Sequence, residues 1–416
     1  MIIERSLYLN KLIERKHNRL IKIVTGIRRC GKSFLLNELF VAHLIDSGVD
    51  ENHIIRLSLE GAQGMPYRDL SYTFQYITDL ITDKKMYYII LDEIQMMDDF
   101  VELLNGLLQI KNVDVYVTGS NSRFLSSDIA TEFRGRGDVI QMHPLRFSEF
   151  LSVYEGDRQD AWDDYFTYGG LPQLFTYSSE ESKIDYLKTL FDTTYKRDII
   201  ERNKIRNEEK LDILLDVISS NIGSYTNPTK LEKTFKSEMK VNFSHSAIDN
   251  YLDCLEDAFL IRKAHKYNIK GKQYIGTPYK IFFEDVGLRN ARLNFRQIEE
   301  NHIMENILYN ELCIRGYSVD VGIVEQFGKD KNGKTIRKEY EVDFVVNRGS
   351  ERYYIQSTFK MNDSSKVQQE KNSLKNIDDS FKKIIVQKDY LKPKTDDDGI
   401  IRIGLMNFLL DDDILR

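Results

Sequence analysis

The sequence predicts an α/β protein on three observations. Ile21, Ile23 and Val24 form a short apolar β-type run that passes through a glycine loop, Gly26 to Ser33, into a helical pattern of Leu35, Leu36, Leu39 and Phe40. A continuous apolar run from Met86 to Leu91 ends in Asp92 and Glu93, as a buried parallel strand does. Between and after these, strand patterns at His53 to Leu59 and Val113 to Val117 alternate with a helical region around Leu70 to Ile81.

Composition bounds the rest. A chain of 416 residues suggests several domains, and 30% charged residues, 41% hydrophobic residues and six prolines describe a folded chain. No apolar run approaches the ~20 residues needed to cross a bilayer, and Met1 to Arg19 is charged rather than signal-like. A cytoplasmic protein with no membrane partner is expected. Cys30, Cys254 and Cys313 are too few for a disulfide framework or a zinc site, and the seven histidines show no ligand spacing. A net charge of −6 argues against a protein that coats nucleic acid, although local basic segments remain.

Taken in order, Leu7, Leu9, Leu12 and Ile13 mark a helix leading into the first strand. Gly26, Ile27, Arg28, Arg29, Cys30, Gly31, Lys32 and Ser33, with Phe34 opening the helix, then form a P-loop. The glycines let the backbone close around phosphate oxygens, so that N–H groups and the positive helix end face the anion. Lys32 is expected to reach the β- and γ-phosphates of ATP, and the Ser33 hydroxyl to take one position on Mg²⁺. Asp92 would hold that Mg²⁺, through water or through Ser33, while Glu93 polarises the attacking water.

Later segments leave alternatives open. Ser120 or Asn121 either senses the γ-phosphate or belongs to a turn. In Phe133 to Asp138, an arginine either enters a neighbouring subunit's site as a finger or is a solvated loop residue. The absence of a TKxD-type tetrapeptide favours ATP over GTP. Gly169, Gly170, Leu171 and Pro172 either break a helix or bring Pro172 to the adenine ring. The Cys30 thiol, beside Lys32, is either reactive or a tolerated small side chain.

GIRRCGKS, YYIILDEIQ, TGSNS, FRGRG followed by PLRFSEF, and GGLP in this order resemble the prokaryotic AAA-type ATP-binding proteins related to archaeal ATPases and STAND NTPases. The resemblance implies that Lys32, Ser33, Asp92 and Glu93 bind and hydrolyse MgATP. It also makes Arg136 the better finger candidate and assigns Pro172 to a nucleotide-contacting GxP motif.

After a charged helical hinge, Leu231 to Met239 and Ser244 to Leu260 read as two helices followed by a basic segment. Arg262, Lys263, Lys266, Lys270, Lys272 and Lys280 occur with no acid between Ile261 and Phe283, and Tyr267, Tyr274 and Tyr279 are interleaved. This is a winged helix-turn-helix candidate whose strip suits double-stranded DNA, against the alternative of a protein-docking winged helix.

The last region places Glu305 on a helix, Glu341 and Asp343 on one strand and Gln356 on the next, which resembles the restriction-endonuclease-like domain at the family's C-terminus. Gln356 stands where a carboxylate is usual and Thr358 where the lysine should be, while Lys360 is about 7 Å further along. A nuclease-like fold kept for binding or structure is expected, rather than metal-dependent cleavage. Asp396, Asp397 and Asp398 form either a cation site or a solvated loop.

The expected architecture is thus α/β: a P-loop NTPase parallel sheet (1–145) with a helical lid and hinge (146–200), then a winged helix-turn-helix (201–290), then an α/β restriction-endonuclease-like domain (291–416). The expected function is a MgATP-driven switch acting on DNA. The alternatives are a signalling switch with a protein partner or a homo-oligomer, and an active metal-dependent DNase.

Overall fold

A computed structural model describes residues 2–120, 135–296, 299–329, 335–359 and 371–415. Asn121, Phe133, Arg134 and Lys360 lie outside the described residues. The chain divides into two compact units, Met1–Leu145 with Leu171–Gln173 and Asp257–Phe259, and Arg146–Gly170 with Leu174–Glu256 and Leu260–Arg416.

In the first unit, helix α1 (Ser6–Glu14) precedes strand β1 (Ile21–Thr25) and the P-loop. Helix α2 is assembled from Lys32–Phe34, Leu35–Phe40 and Val41–Asp46, which run on without a break. Then follow β2 (Ile54–Ser58), α3 (Leu70–Leu80), β3 (Tyr87–Asp92), α4 (Phe100–Leu107), β4 (Val113–Gly119) and β5 (Gly137–Gln141). The five strands are parallel in the order β2-β3-β4-β1-β5. Every residue of β1 and β3 is buried, as a central parallel strand with both faces covered requires. One side is filled by Ile21, Ile23, Ile89, Leu91, Leu103 and Leu107.

Lys22 breaks the apolar pattern of β1 and is fully buried. Its ammonium pairs with Asp114 of β4 and lies 4.8 Å from the Tyr116 ring centroid, so the charge is compensated where it is desolvated.

The second unit opens with α5 (Phe147–Ser152) and α6 (Arg158–Tyr168). Helix α7 is continuous through Glu180–Leu190, Phe191–Lys196 and Arg197–Asn203. Next come α8 (Glu208–Ser220), β6 (Tyr225–Thr226), α9 (Pro228–Thr234, continuing through Phe235–Met239), α10 (His245–Asp257), β7 (Ile261–Asn268) and β8 (Gln273–Phe283). The two helices α9 and α10 and the hairpin β7–β8 thus follow one another where two helices and a basic ribbon were expected. Asn227 caps α9 by accepting the Lys230 N–H, and Pro228 takes the first helical position, where no amide partner is needed.

The remainder is α11 (Val286–Arg292), α12 (Glu300–Ile314), β9 (Ser318–Lys329), β10 (Thr335–Arg348), β11 (Glu351–Thr358), a short helix α13 (371–375), β12 (Lys382–Gln387), β13 (Lys394–Thr395), β14 (Ile401–Gly404) and α14 (Leu405–Leu410). Strands β9, β10 and β11 are antiparallel, and β12 joins β11 in parallel.

One expectation needs correction. The hairpin expected to be a wing of its own domain is continuous with the last region's sheet, because β7 pairs in parallel with β9 from Lys266 opposite Val321 to Asn268 opposite Ile323. A single nine-stranded mixed sheet results, β13-β14-β12-β11-β10-β9-β7-β8-β6. From Lys266 to Asn268 the edge that an isolated ribbon would leave to water is paired with β9.

Candidate functional site

The sheet order positions the site. Strand β4 lies between β1 and β3, with Val24 opposite Thr118 on one side and Leu91 opposite Val117 on the other. Its carboxyl end therefore falls between the P-loop and Asp92. The Thr118 hydroxyl donates to Asp92 Oδ1 at 2.5 Å and accepts the Glu93 N–H at 2.9 Å, and Ser33 Oγ donates to the same Asp92 oxygen at 2.9 Å. Burial raises the Asp92 carboxyl above the ordinary carboxylate range, against the pull of these two hydroxyls.

Glu93 turns out of β3 with φ of +53°, a left-handed conformation that costs a non-glycine residue roughly 1–3 kcal/mol. Its carboxylate accepts from the Gln95 amide and, at 3.3 Å, from Ser120 Oγ. Arg28 Nε donates to Ser120 Oγ at 3.4 Å, which ties the loop to the same group. Of the two sensor candidates, Ser120 is thus beside Glu93.

The loop itself is shaped by Gly26. With φ of +146°, a side chain there would place Cβ 2.0 Å from the Met142 carbonyl oxygen. The Lys32 ammonium is folded onto the Gly26 and Ile27 carbonyls at 3.0 and 3.1 Å. Cys30 is fully buried with its thiol directed at the Met142 carbonyl, 3.7 Å away, which favours the tolerated small side chain of the two alternatives. Pro172 Cγ lies 4.0 Å from the position of a Cβ built on Gly31, close to the loop. Arg136 is exposed, donates to Asn105 Oδ1 at 3.1 Å and precedes β5, whose Gly137 is opposite Ile21. It stands at the amino end of the sheet, about 16 Å along β1 from its own P-loop.

Arg5, which the pattern of the first helix does not mark, is buried at the head of α1 and donates to the Cys30 carbonyl at 3.0 Å and the His143 carbonyl at 2.6 Å. Thr118 and Gln95 lie inside TGSNS and YYIILDEIQ, but the sequence assigned neither a role. Only their distance to Asp92 and Glu93 reveals them.

Residues 18–151 match the AAA domain family, and residues 159–299 match a family described as a domain of unknown function, DUF8612. An uncharacterized protein of Haemophilus influenzae is 33% identical over 416 residues, covering 98% of this chain and 99% of that protein. The chain belongs to the AAA-type P-loop family. An uncharacterized protein of Methanocaldococcus jannaschii is 26% identical over 388 residues, or 89% of this chain and 80% of that one. Two solved structures are similar with a TM-score of 0.33: the Aeropyrum pernix ORC1 protein in complex with DNA, at 12% identity over 70% of this chain and 92% of that chain, and AMPPCP-bound DnaA from Aquifex aeolicus, at 15% over 61% and 88%.

In this AAA-type chain the basic hairpin is not the free strip its sequence suggests. Arg262 Nε bonds Glu284 at 2.6 Å, Lys263 pairs with Asp253 and Glu256, and Lys266 pairs with Glu339 at 3.0 Å. The acids come from α10, the end of β8 and β10, outside the acid-free run. Lys270 and Lys272 remain exposed at the turn, beside a cleft of ≈ 670 Å³ that Arg352, Tyr267 and Phe381 also line.

Glu305, Asp343 and Gln356 are brought together, as the nuclease-like pattern requires, but not as metal ligands. Gln356 accepts the Asp343 N–H and donates back to Asp343 Oδ1, both at 3.2 Å, while Ser357 N–H and Oγ donate to Asp343 Oδ2 at 2.7 and 2.9 Å. Lys280 of β8 reaches Glu305 and Glu341, each at 2.7 Å. Burial opposes the Lys280 charge, yet Glu305 and Glu341 hold its ammonium above the usual lysine range. Burial pushes the Glu305 carboxyl up, against the pull of the Lys280 ammonium beside it. Asp396 and Asp398 are likewise paired, with Lys371 and Lys375. Among the described residues no group of three or more His, Cys, Asp or Glu side chains is arranged to hold a metal ion, and no helix is long and apolar enough to cross a membrane.

Proposed function

We propose that this chain is a MgATP-binding and ATP-hydrolysing switch. The observation that carries the reading is the Thr118 hydroxyl, bonded at once to Asp92 and to the Glu93 amide with Ser33 on the same Asp92 oxygen. A hydroxyl and a carboxylate are hard oxygen donors of the kind Mg²⁺ takes, so Ser33 and Asp92 fit the ion, directly or through water. Bound there, Mg²⁺ would neutralise charge on the β- and γ-phosphate oxygens.

Lys32 gives up two carbonyl bonds for stronger charge-assisted bonds to phosphate. Glu93 takes the proton of a water attacking the γ-phosphate in line, and Gln95 and Ser120 orient its carboxylate. Arg136, remote from its own loop, acts in this reading on a neighbouring subunit. Pro172 contacts the base.

The pairing of Arg262, Lys263 and Lys266 favours a protein partner as the target. Duplex DNA is the second reading, carried by Lys270 and Lys272. Two phosphate contacts imply a slope of only about −1.8 in log affinity against log salt, and hence weak binding. Phosphate release with and without duplex DNA separates the two. Rates within about twofold of each other are expected for a protein-directed switch. Stimulation by DNA that Lys270→Glu/Lys272→Glu abolishes would make DNA the target instead.

A further inference from the structure

Lys280 is the residue of the basic hairpin that neither reading of the hairpin uses. It is 4% exposed, and its ammonium donates to Glu305 of α12 and Glu341 of β10, both at 2.7 Å. The Tyr225 ring centroid lies 5.7 Å from the same nitrogen and covers one side. Asp343, two residues beyond Glu341, completes the acidic wall; Gln356 donates to its Oδ1 and Ser357 twice to its Oδ2, so Oδ1 keeps a lone pair for a cation. Glu305 is confined from behind, since a Cβ on Gly223 would lie 3.1 Å from Glu305 Oε2.

We propose that the Lys280 ammonium is the built-in cation of this acid cluster: with it in place Glu305, Glu341 and Asp343 are not arranged to hold a metal ion, and they close on a divalent ion only when it is removed. The C-terminal sheet is then metal-free and non-cleaving for as long as hairpin β7–β8 stays paired to it. The cation that Thr358 fails to supply on β11 comes from β8, a strand that precedes the three acids in the chain. It comes as the cation of the cluster itself and not as a helper beside a metal, because two carboxylates spend their oxygens on it directly. One positive charge faces three carboxyl groups. Removing it therefore leaves Glu305 and Asp343, both buried, without a counter-cation unless another enters.

The test is a Mn²⁺ titration of the full-length chain without nucleotide, with free Mn²⁺ read by its electron paramagnetic resonance signal. Wild type and Asp343→Asn are expected to bind the same amount. Lys280→Met is expected to gain about one Mn²⁺ per chain, and Lys280→Met/Asp343→Asn to lose it again. Mn²⁺ held at the P-loop is common to all four proteins and cancels in the differences. Where Lys280→Met is too unstable to titrate, millimolar Mn²⁺ is expected to raise its melting temperature toward that of wild type. Wild type holding Mn²⁺ that Asp343→Asn removes would overturn the proposal. So would a folded Lys280→Met that gains none, or an unstable one that Mn²⁺ fails to rescue.

Discussion

Thr118 is the side chain on which the geometry of the candidate site converges. Its hydroxyl has one proton and spends it on Asp92, while its lone pair receives the Glu93 amide. Replacement by the isosteric valine leaves a buried carboxylate short of a donor and a strained backbone short of an acceptor. Hydrogen bonds to charged groups are worth about 1.5–3 kcal/mol, so Thr118→Val should lower the rate of phosphate release roughly 10- to 100-fold, with ATP affinity much less affected. Steady-state kinetics beside equilibrium binding checks the split; equal losses in both would place Thr118 in the fold and outside the chemistry. Thr118 and Arg5 were not legible in the sequence for the same reason. Glycine loop, lysine and acid pair carry a spacing along the chain, whereas the role of the hydroxyl that opens TGSNS is defined only once the strand order places β4 between β1 and β3.

At the scale of elements, the junction of α6 with α11 explains why two glycines stand together. Gly169 ends α6 with φ of +81°, and a Cβ there would meet Asp285 Oδ1 at 2.2 Å. The Asp285 carboxylate caps α11 by accepting the Leu288 N–H and also accepts the Gly170 N–H at 2.8 Å. Burial pushes its pKa from 3.8 up to about 6, against these amide bonds. A folded-state value above the unfolded one means that the folded chain holds a proton the unfolded chain releases. The contribution of Asp285 is therefore full below about pH 4 and lost as pH rises through about 6. Chemical denaturation of wild type and Asp285→Asn between pH 4 and 7 should show this. Wild type has the steeper loss of stability on going to pH 7, and parallel curves would contradict it. The helix break at Gly169–Gly170 was legible as punctuation. Its cause was not, because the acid that requires it lies 115 residues away along the chain.

For the whole molecule, the lesson of the hairpin is that an acid-free stretch of sequence need not be an acid-free surface. The parallel strands, the P-loop and the strand ending in Asp92 and Glu93 could be read from local period and spacing, because each is a short-range pattern. The partners of Arg262, Lys263, Lys266 and Lys280 could not, since Glu284, Glu256, Glu339 and Glu305 reach them only after the sheet has formed. What remains central is the P-loop reading, in which Lys32 binds phosphate and Glu93 serves the attacking water. MgATP binding and phosphate release measured side by side on wild type, Lys32→Ala and Glu93→Gln test it most directly. The account predicts affinity reduced roughly 10- to 100-fold in Lys32→Ala. In Glu93→Gln it predicts nearly unchanged affinity with turnover down about 10²–10⁴-fold. Full turnover in Glu93→Gln, or wild-type affinity in Lys32→Ala, would contradict it.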